Sequence, residues 1–193
     1  MSNDDAFYRG DQPPQWVIDM ARDVALGIGA FPLNQPHLVC HKSQRGVVLF
    51  NPELEQERLT AGGFLDNYAK RYIAVASGRN GPPHPFTCDG GSLKCRQRCN
   101  SYCVHAEERA IRAALGNDDV HDLELVHVKV VGGQVVDGGP PSCWQCSRTI
   151  LDVNLRGVWL YETMHLGNAG KGWIFRTAEA FHDETLRNCG LTL

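Results

Sequence analysis

The chain has 193 residues, with 19 Lys and Arg against 22 Asp and Glu, a net charge of −3 and a pI near 6.2. This length fits one domain with a sizeable core, and the charge argues against tight, nonspecific binding of nucleic acid. No apolar run is long enough to span a bilayer, and the polar segment Met1 to Asp11 is unlike a signal peptide. We therefore expect a cytoplasmic protein with no membrane partner, in which residues 1–12 are flexible and residues 13–193 form a single domain.

The first half of the chain predicts one helix and two strands. The helix runs from about Pro13 to Gly29, with Pro near its first turn and an apolar stripe on one side. Strands follow at Gly46 to Phe50 and at Tyr72 to Ser77. A loop from Gly78 to Cys103 then leads to the next helix, and a cysteine-rich, zinc-binding loop is expected over residues 84–104.

The second half of the chain alternates helices with strands. One helix begins at His105 and another at Cys143, each at the start of an apolar-periodic run. This alternation indicates an α/β sandwich with a mixed sheet that is antiparallel at its first hairpin. The other predicted elements are strands from Leu123 to Val131 and from Gly157 to Tyr161, and a helix from about Thr177 to Asn188.

Two short segments combine zinc-type ligands with an acid. Glu107 follows His105 by two positions, and two residues separate Cys143 from Cys146. A catalytic zinc site needs three protein ligands, an open fourth position for water and a nearby proton carrier. One imidazole and two thiolates suit Zn²⁺, and the dipoles of the two predicted helices favour thiolate and hydroxide. The pattern therefore predicts a zinc hydrolase.

The layout of these two segments resembles that of the zinc-dependent cytidine/deoxycytidylate deaminase superfamily, and most of all the deoxycytidylate deaminase-like proteins. The resemblance covers roughly Trp16 to Leu191 and implies a three-layer α/β/α fold around a central mixed five-stranded sheet. It also implies hydrolytic deamination of a cytosine nucleotide or nucleoside to the uracil product, with zinc hydroxide as the nucleophile and Glu107 as the proton shuttle. A small-molecule substrate and a homo-oligomer are expected on the same basis.

Five residues are candidate substrate contacts. Asn80 lies in a Gly-Arg-Asn-Gly turn that is similar to the Gly-Tyr-Asn-Gly loop of deoxycytidylate deaminases, in which the Asn contacts the sugar of the substrate. The alternative is that Asn80 only shapes the turn. Arg79 and Arg109 could bind a phosphate or could be surface or structural residues. Trp144 and Tyr161 could stack on the base or pack in the core.

A second group of cysteines predicts a structural zinc. Cys88, Cys95, Cys99 and Cys103 lie in one predicted loop, and Cys40 precedes the first strand. Without a secretory signal, metal ligation explains such crowding better than disulfides do. The resemblance implies Cys40, Cys88, Cys95 and Cys103 as ligands, and the alternative set has Cys99 in place of Cys40. Four thiolates would close either shell, so we expect one catalytic and one structural zinc.

Two other functions stay open. The first is a deaminase that acts on single-stranded nucleic acid or on another nucleobase. The net charge disfavours nucleic acid as the substrate, but a basic rim of Lys94, Arg96, Arg98 and Arg109 would favour it. The second alternative is a zinc-binding interaction module whose deaminase-like site is vestigial. Against it, Glu107 has no obvious structural duty.

Overall fold

The computed structural model describes residues 12–28, 40–83, 86–90, 92–115, 120–141, 143–163 and 171–191, so nearly all of the N-terminus predicted to be flexible lies outside the described residues. Within these ranges helices alternate with the strands of a single sheet. The elements are α1 (Gln15–Leu26), β1 (Gln44–Phe50), α2 (Pro52–Thr60), α3 (Asn67–Ile73), β2 (Ala74–Arg79), α4 (Leu93–Tyr102), α5 (Ala106–Ala114), β3 (Glu124–Val131), β4 (Gln134–Val136), α6 (Trp144–Asp152), β5 (Gly157–Thr163), β6 (Lys171–Thr177) and α7 (Ala178–Asn188).

The sheet is mixed, as the sequence predicts. Its strands follow the order β2-β1-β3-β5-β6, and the short β4 pairs with β3 beside this path. β1 is antiparallel to both β2 and β3, β3 is parallel to β5, and β5 is antiparallel to β6. The predicted five-stranded sheet is confirmed along this path, and β4 adds a sixth strand as a hairpin.

Helices cover both faces of the sheet, which confirms the three-layer α/β/α architecture. On one face α1 buries Val17, Ala21 and Ala25 against strand residues such as Val48 and Val126. The other face carries α5, α6 and α7 over a second apolar cluster. Alternating strand residues supply the two clusters because successive side chains of a strand point to opposite faces.

Several elements differ from the sequence prediction. The second strand begins at Ala74 rather than Tyr72, because α3, capped by Asp66, continues to Ile73. The predicted loop before His105 contains α4, whose N-cap Ser92 accepts a hydrogen bond from the Cys95 backbone N–H at 3.0 Å. The remaining elements absent from the prediction are α2, β4 and β6. In the described part of the chain, no helix is long and apolar enough to cross a membrane.

A close approach of β2 to α5 sets the position of the site. Gly78 faces the first turn of α5, where a Cβ on residue 78 would lie 2.2 Å from the carbonyl oxygen of Ala106 and 2.5 Å from the amide nitrogen of Ala110. Only glycine fits this contact without displacing the helix. The contact fixes α5 at Ala106, between His105 and Glu107.

Candidate metal centre and active site

The three predicted catalytic ligands come together at two helix N-termini. His105 is the N-cap of α5 and Cys143 is the N-cap of α6, with Cys146 in the first turn of α6. His105 Nδ1 lies 3.1 Å from Cys146 Sγ, which lies 3.2 Å from Cys143 Sγ. A tetrahedral zinc with these donors has ligand-to-ligand distances of about 3.5 to 3.8 Å. The three donor atoms all lie within 4.8 Å of one another, so this group could hold a metal ion, and its donor types suit zinc.

The electrostatics of the ligands favour a thiolate. The hydrogen bond between the two sulfurs and the neighbouring His105 ring lower the pKa of Cys143 to about 4. The same hydrogen bond, together with burial, raises the pKa of Cys146. The contact with Cys143 also raises the pKa of His105. One thiolate is therefore already stabilised, and the partial positive charge at the start of α6 adds to that effect.

Glu107 and Glu108 are adjacent in sequence but occupy different environments. Glu107 is buried at 8% exposure and borders the same cavity as the three ligands. Burial alone would raise its pKa, but the facing His127 ring and the nearby His105 and Arg45 outweigh burial and lower the pKa of Glu107. Glu108 instead forms a partly exposed ion pair with Arg112 at 2.5 Å. Glu107 is thus the carboxylate that can reach a substrate.

A cavity of about 240 Å³ opens beside the ligands. Its wall includes three basic side chains that the sequence analysis missed, Arg45 on β1 and His127 and Lys129 on β3. Arg45 and Lys129 are directly opposite each other in the β1–β3 register. In the described part of the chain, neither cation has a carboxylate within salt-bridge distance. Like charges placed directly opposite each other in a sheet are destabilising, so this pair favours an anion in the cavity.

Asn80 borders the cavity, but its side chain also holds the start of β1. Its Oδ1 accepts from the backbone N–H of Arg45 at 2.8 Å, and its Nδ2 donates to the carbonyl of Ser43 at 2.6 Å. One hydrogen on Nδ2 is left over by these two bonds. The structure therefore gives Asn80 a structural role and leaves one donor with which it could meet a substrate.

The other candidate substrate contacts lie mainly outside the cavity. Arg79 is buried at the end of β2, and Arg109 donates to the carbonyls of Gly81 and Pro82 at 2.9 Å each. Burial lowers the pKa of both guanidinium groups. Neither residue borders the cavity, where the basic side chains are those of β1 and β3.

The two aromatic candidates also fit structural roles. Trp144 is partly exposed at the start of α6, outside the cavity, with the Arg148 guanidinium 5.3 Å from its ring centre. Tyr161 borders the cavity, but its ring packs against Trp173 with centroids 5.5 Å apart. Trp173 belongs to the apolar cluster under α1, so the Tyr161 ring lies on that face of the sheet.

The second cysteine group is partly assembled. Cys88 Sγ lies 3.6 Å from Cys95 Sγ, and both residues border a small cavity together with Cys103. Cys40 is buried. It lies close to this group, since the backbone N–H of the next residue, His41, donates to Cys88 Sγ at 3.4 Å. The side chain of Cys99 lies outside the described part of the chain. Among the described residues, three possible ligand atoms lie close enough together to hold a metal ion at His105, Cys143 and Cys146, but not at this second group.

Comparisons with known proteins give a structural similarity but no family. No family model and no curated protein matches the sequence. Similar solved structures include a dCMP deaminase from the cyanophage S-TIM5 in its apo form, with a TM-score of 0.44, 16% identity, and coverage of 75% of this chain and 78% of that chain. The same deaminase in complex with dCMP and dUMP gives a TM-score of 0.42 and 17% identity, with 77% and 82% coverage. The function proposed below therefore depends on the geometry of the site.

Proposed function

We propose that the chain is a zinc-dependent deaminase that hydrolyses the exocyclic amine of a cytosine nucleotide. The observation that supports this most is one cavity bordered by three zinc-type ligands, a buried carboxylate and two cations without carboxylate partners among the described residues. The similar cyanophage enzyme is a dCMP deaminase and was crystallised with dCMP and dUMP.

The residues of the chain divide the work between metal binding, proton transfer and substrate binding. His105, Cys143 and Cys146 would hold the zinc and leave its fourth position open to the cavity. When bound, zinc supplies an acidified water with a pKa of about 7. The Glu107 carboxylate would take one proton from the attacking water and deliver it to the ring nitrogen. It would then take the second proton from the hydroxyl now on the ring carbon and deliver it to the amine, so that ammonia departs as the carbon–nitrogen bond breaks and the carbonyl forms.

The anionic part of the substrate would lie against Arg45 and Lys129. An oxyanion between them would relieve the repulsion of the two cations and gain charge-assisted hydrogen bonds. This assignment moves the phosphate contact from Arg79 and Arg109, the sequence-based candidates, to the two strands that border the cavity. A nucleotide is therefore favoured over a nucleoside.

The first experiment tests the reaction with a matched pair of glutamates. Glu107→Gln in zinc-loaded protein should lower kcat roughly 10²- to 10⁴-fold, because it removes a general acid–base group. Glu108→Gln should keep kcat, since Glu108 pairs with Arg112 away from the cavity. Ammonia release is measured over a panel of cytidine, deoxycytidine, their phosphates, modified cytosines and an oligonucleotide. Inactivity of the wild type on the whole panel would leave the vestigial interaction module as the better account, and activity on the oligonucleotide alone would favour the nucleic-acid deaminase.

The second experiment tests the anion contact. Lys129→Met should raise KM for the nucleotide roughly 10- to 100-fold while leaving KM for the nucleoside unchanged, because a hydrogen bond to a charged group contributes about 1.5 to 3 kcal/mol. Lys94→Met, an exposed change on α4, is the control. Equal effects of Lys129→Met on nucleotide and nucleoside would remove the anion from this account.

We also propose a structural zinc held by the second cysteine group, for which the Cys88–Cys95 contact and the nearby Cys103 and Cys40 are the support. A closed thiolate site contributes to folding directly. Cys88→Ser should therefore lower the melting temperature and remove one zinc by elemental analysis. One zinc in the wild type, together with reduced and titratable Cys88 and Cys95, would contradict a second metal.

A further inference from the structure

A buried histidine that no sequence motif singles out lies directly beside the proposed proton carrier. His127 is on β3, and its Nδ1 lies 3.3 Å from Glu107 Oε1. On the other side of the ring, Arg45 Nη1 lies 3.4 Å from His127 Nε2. Arg45 is itself held by donating from Nη2 to the carbonyl of Gly138 at 3.3 Å. These contacts form a continuous chain that ends at the Glu107 carboxylate.

The chemistry of the chain determines which ring nitrogen carries the hydrogen. A guanidinium group has only donors, so Nε2 of His127 must accept from Arg45. The hydrogen of the neutral ring is then on Nδ1, the nitrogen that lies 3.3 Å from Glu107 Oε1. Burial supports the neutral ring, because it lowers the pKa of His127.

We propose that His127 is a positioning residue, which donates from Nδ1 to Oε1 of Glu107 and so leaves Oε2 as the oxygen that exchanges protons with the substrate. A free glutamate side chain has several rotatable bonds, and fixing it in one conformation costs conformational entropy. The hydrogen bond from His127 meets that cost in the folded protein, before any substrate is bound. Arg45 acts through His127, because it fixes the tautomer that makes the donation possible.

The kinetic part of this inference rests on the proposed function, and two isosteric substitutions test it. The amide nitrogen of an asparagine at position 127 lies near the place of the imidazole Nδ1, whereas that of a glutamine lies near the place of Nε2. We expect His127→Gln to lower kcat roughly 10- to 100-fold with KM and zinc content nearly unchanged, because Glu107 is then misplaced. His127→Asn should recover most of that loss. Equal kcat values for the two variants, or a change in KM alone, would overturn the positioning role.

A second measurement does not depend on activity or on the folding of variants. Nitrogen-15 NMR of the wild-type histidine rings at neutral pH distinguishes the Nδ1–H tautomer, the Nε2–H tautomer and the imidazolium. We expect His127 to be a neutral Nδ1–H ring in the absence of substrate, and Arg45→Met to abolish that preference. An Nε2–H ring or an imidazolium in the wild type would overturn the inference even if the enzyme is active. An Nδ1–H ring in a protein inactive on every substrate would instead support the hydrogen-bond chain and overturn the proposed reaction.

Discussion

Substitution of Gly78 by alanine tests whether the contact between β2 and α5 positions the site. The new Cβ would lie 2.2 Å from the carbonyl oxygen of Ala106, whereas ordinary van der Waals contacts begin near 3.4 Å. Strand and helix must therefore separate by about 1 Å, and overpacking of this kind costs about 1 to 3 kcal/mol. Because Ala106 lies between His105 and Glu107, the displacement moves the candidate metal ligand and the proposed proton carrier together.

The expected loss of activity exceeds what the loss of stability explains. A misplacement of about 1 Å in a catalytic group lowers turnover roughly 10²-fold. The melting temperature of a chain of this size should fall by only about 2 to 4 °C per kcal/mol. Turnover and zinc content are therefore measured well below the melting temperature, where the variant is folded.

Gly157→Ala provides the matched control. Its Cβ would lie 2.3 Å from the carbonyl oxygen of Arg176, an overlap similar to that at Gly78. Gly157 begins β5, three residues before the cavity residue Leu160, a separation of roughly 10 Å along the strand. This variant should lose stability but keep kcat and zinc. If both variants lose turnover equally, or if Gly78→Ala keeps wild-type kcat and zinc, the positioning argument for Gly78 is wrong.

Three further changes test the surroundings of the cavity. Asn80→Ala should lower the free energy of unfolding in urea by about 1 to 3 kcal/mol, because it leaves the Arg45 N–H and the Ser43 carbonyl without their partner. Asn80→Asp should lower that free energy by less, because it keeps the acceptor for the Arg45 N–H. Arg109→Met should lower stability by a similar amount without changing the ratio of nucleotide to nucleoside KM, and a changed ratio would restore Arg109 as a phosphate contact. The Thr163 hydroxyl and the Gly139 N–H lower the pKa of Asp137. The stability that Asp137 contributes should therefore be present above about pH 4 and be lost as the pH falls through the lowered pKa. Asp137→Asn should remove that pH dependence from acid unfolding curves.

The group that could hold a metal ion was predicted from sequence because its geometry is local. His105 and Glu107 are two residues apart on one helix start, and Cys143 and Cys146 are three apart on another. Fixed helical geometry then determines how each pair is arranged. Bringing the two pairs together also needs both helices on the same face of the sheet, and α5 and α6 do pack into the same apolar cluster.

The cavity wall could not be predicted in the same way because it depends on strand register. Arg45 and Lys129 are 84 positions apart and become neighbours only because β1 and β3 pair with these residues opposite each other. A signal was present in β3, where Leu125, His127 and Lys129 alternate on one face, so that polar residues continue a buried apolar row. The alternation predicts a shared face for these residues, but not what lies opposite them.

The missed elements have weak local signals for identifiable reasons. β6 contains Trp173 and Phe175 in alternation and directly follows Gly170, but it leads straight into α7, so no turn residue marks its end. α4 is mostly polar and has no marked apolar side, so its N-cap Ser92 is its main sequence signal. Both elements depend on tertiary contacts more than on their own pattern.

The sign of the charge at the site differs from that of the chain. The net charge is −3, yet the cavity has Arg45 and Lys129 on its wall and two helix N-termini at its base. Arg45 favours the Glu107 carboxylate, and the start of α6 favours the Cys143 thiolate. Arg45 and Lys129 would stabilise a phosphate by the same attraction. Composition averages over a surface on which most acids are far from the site, so an acidic pI excludes a general basic field but not a local one. An anionic small molecule is therefore compatible with a chain whose overall charge argues against nucleic acid.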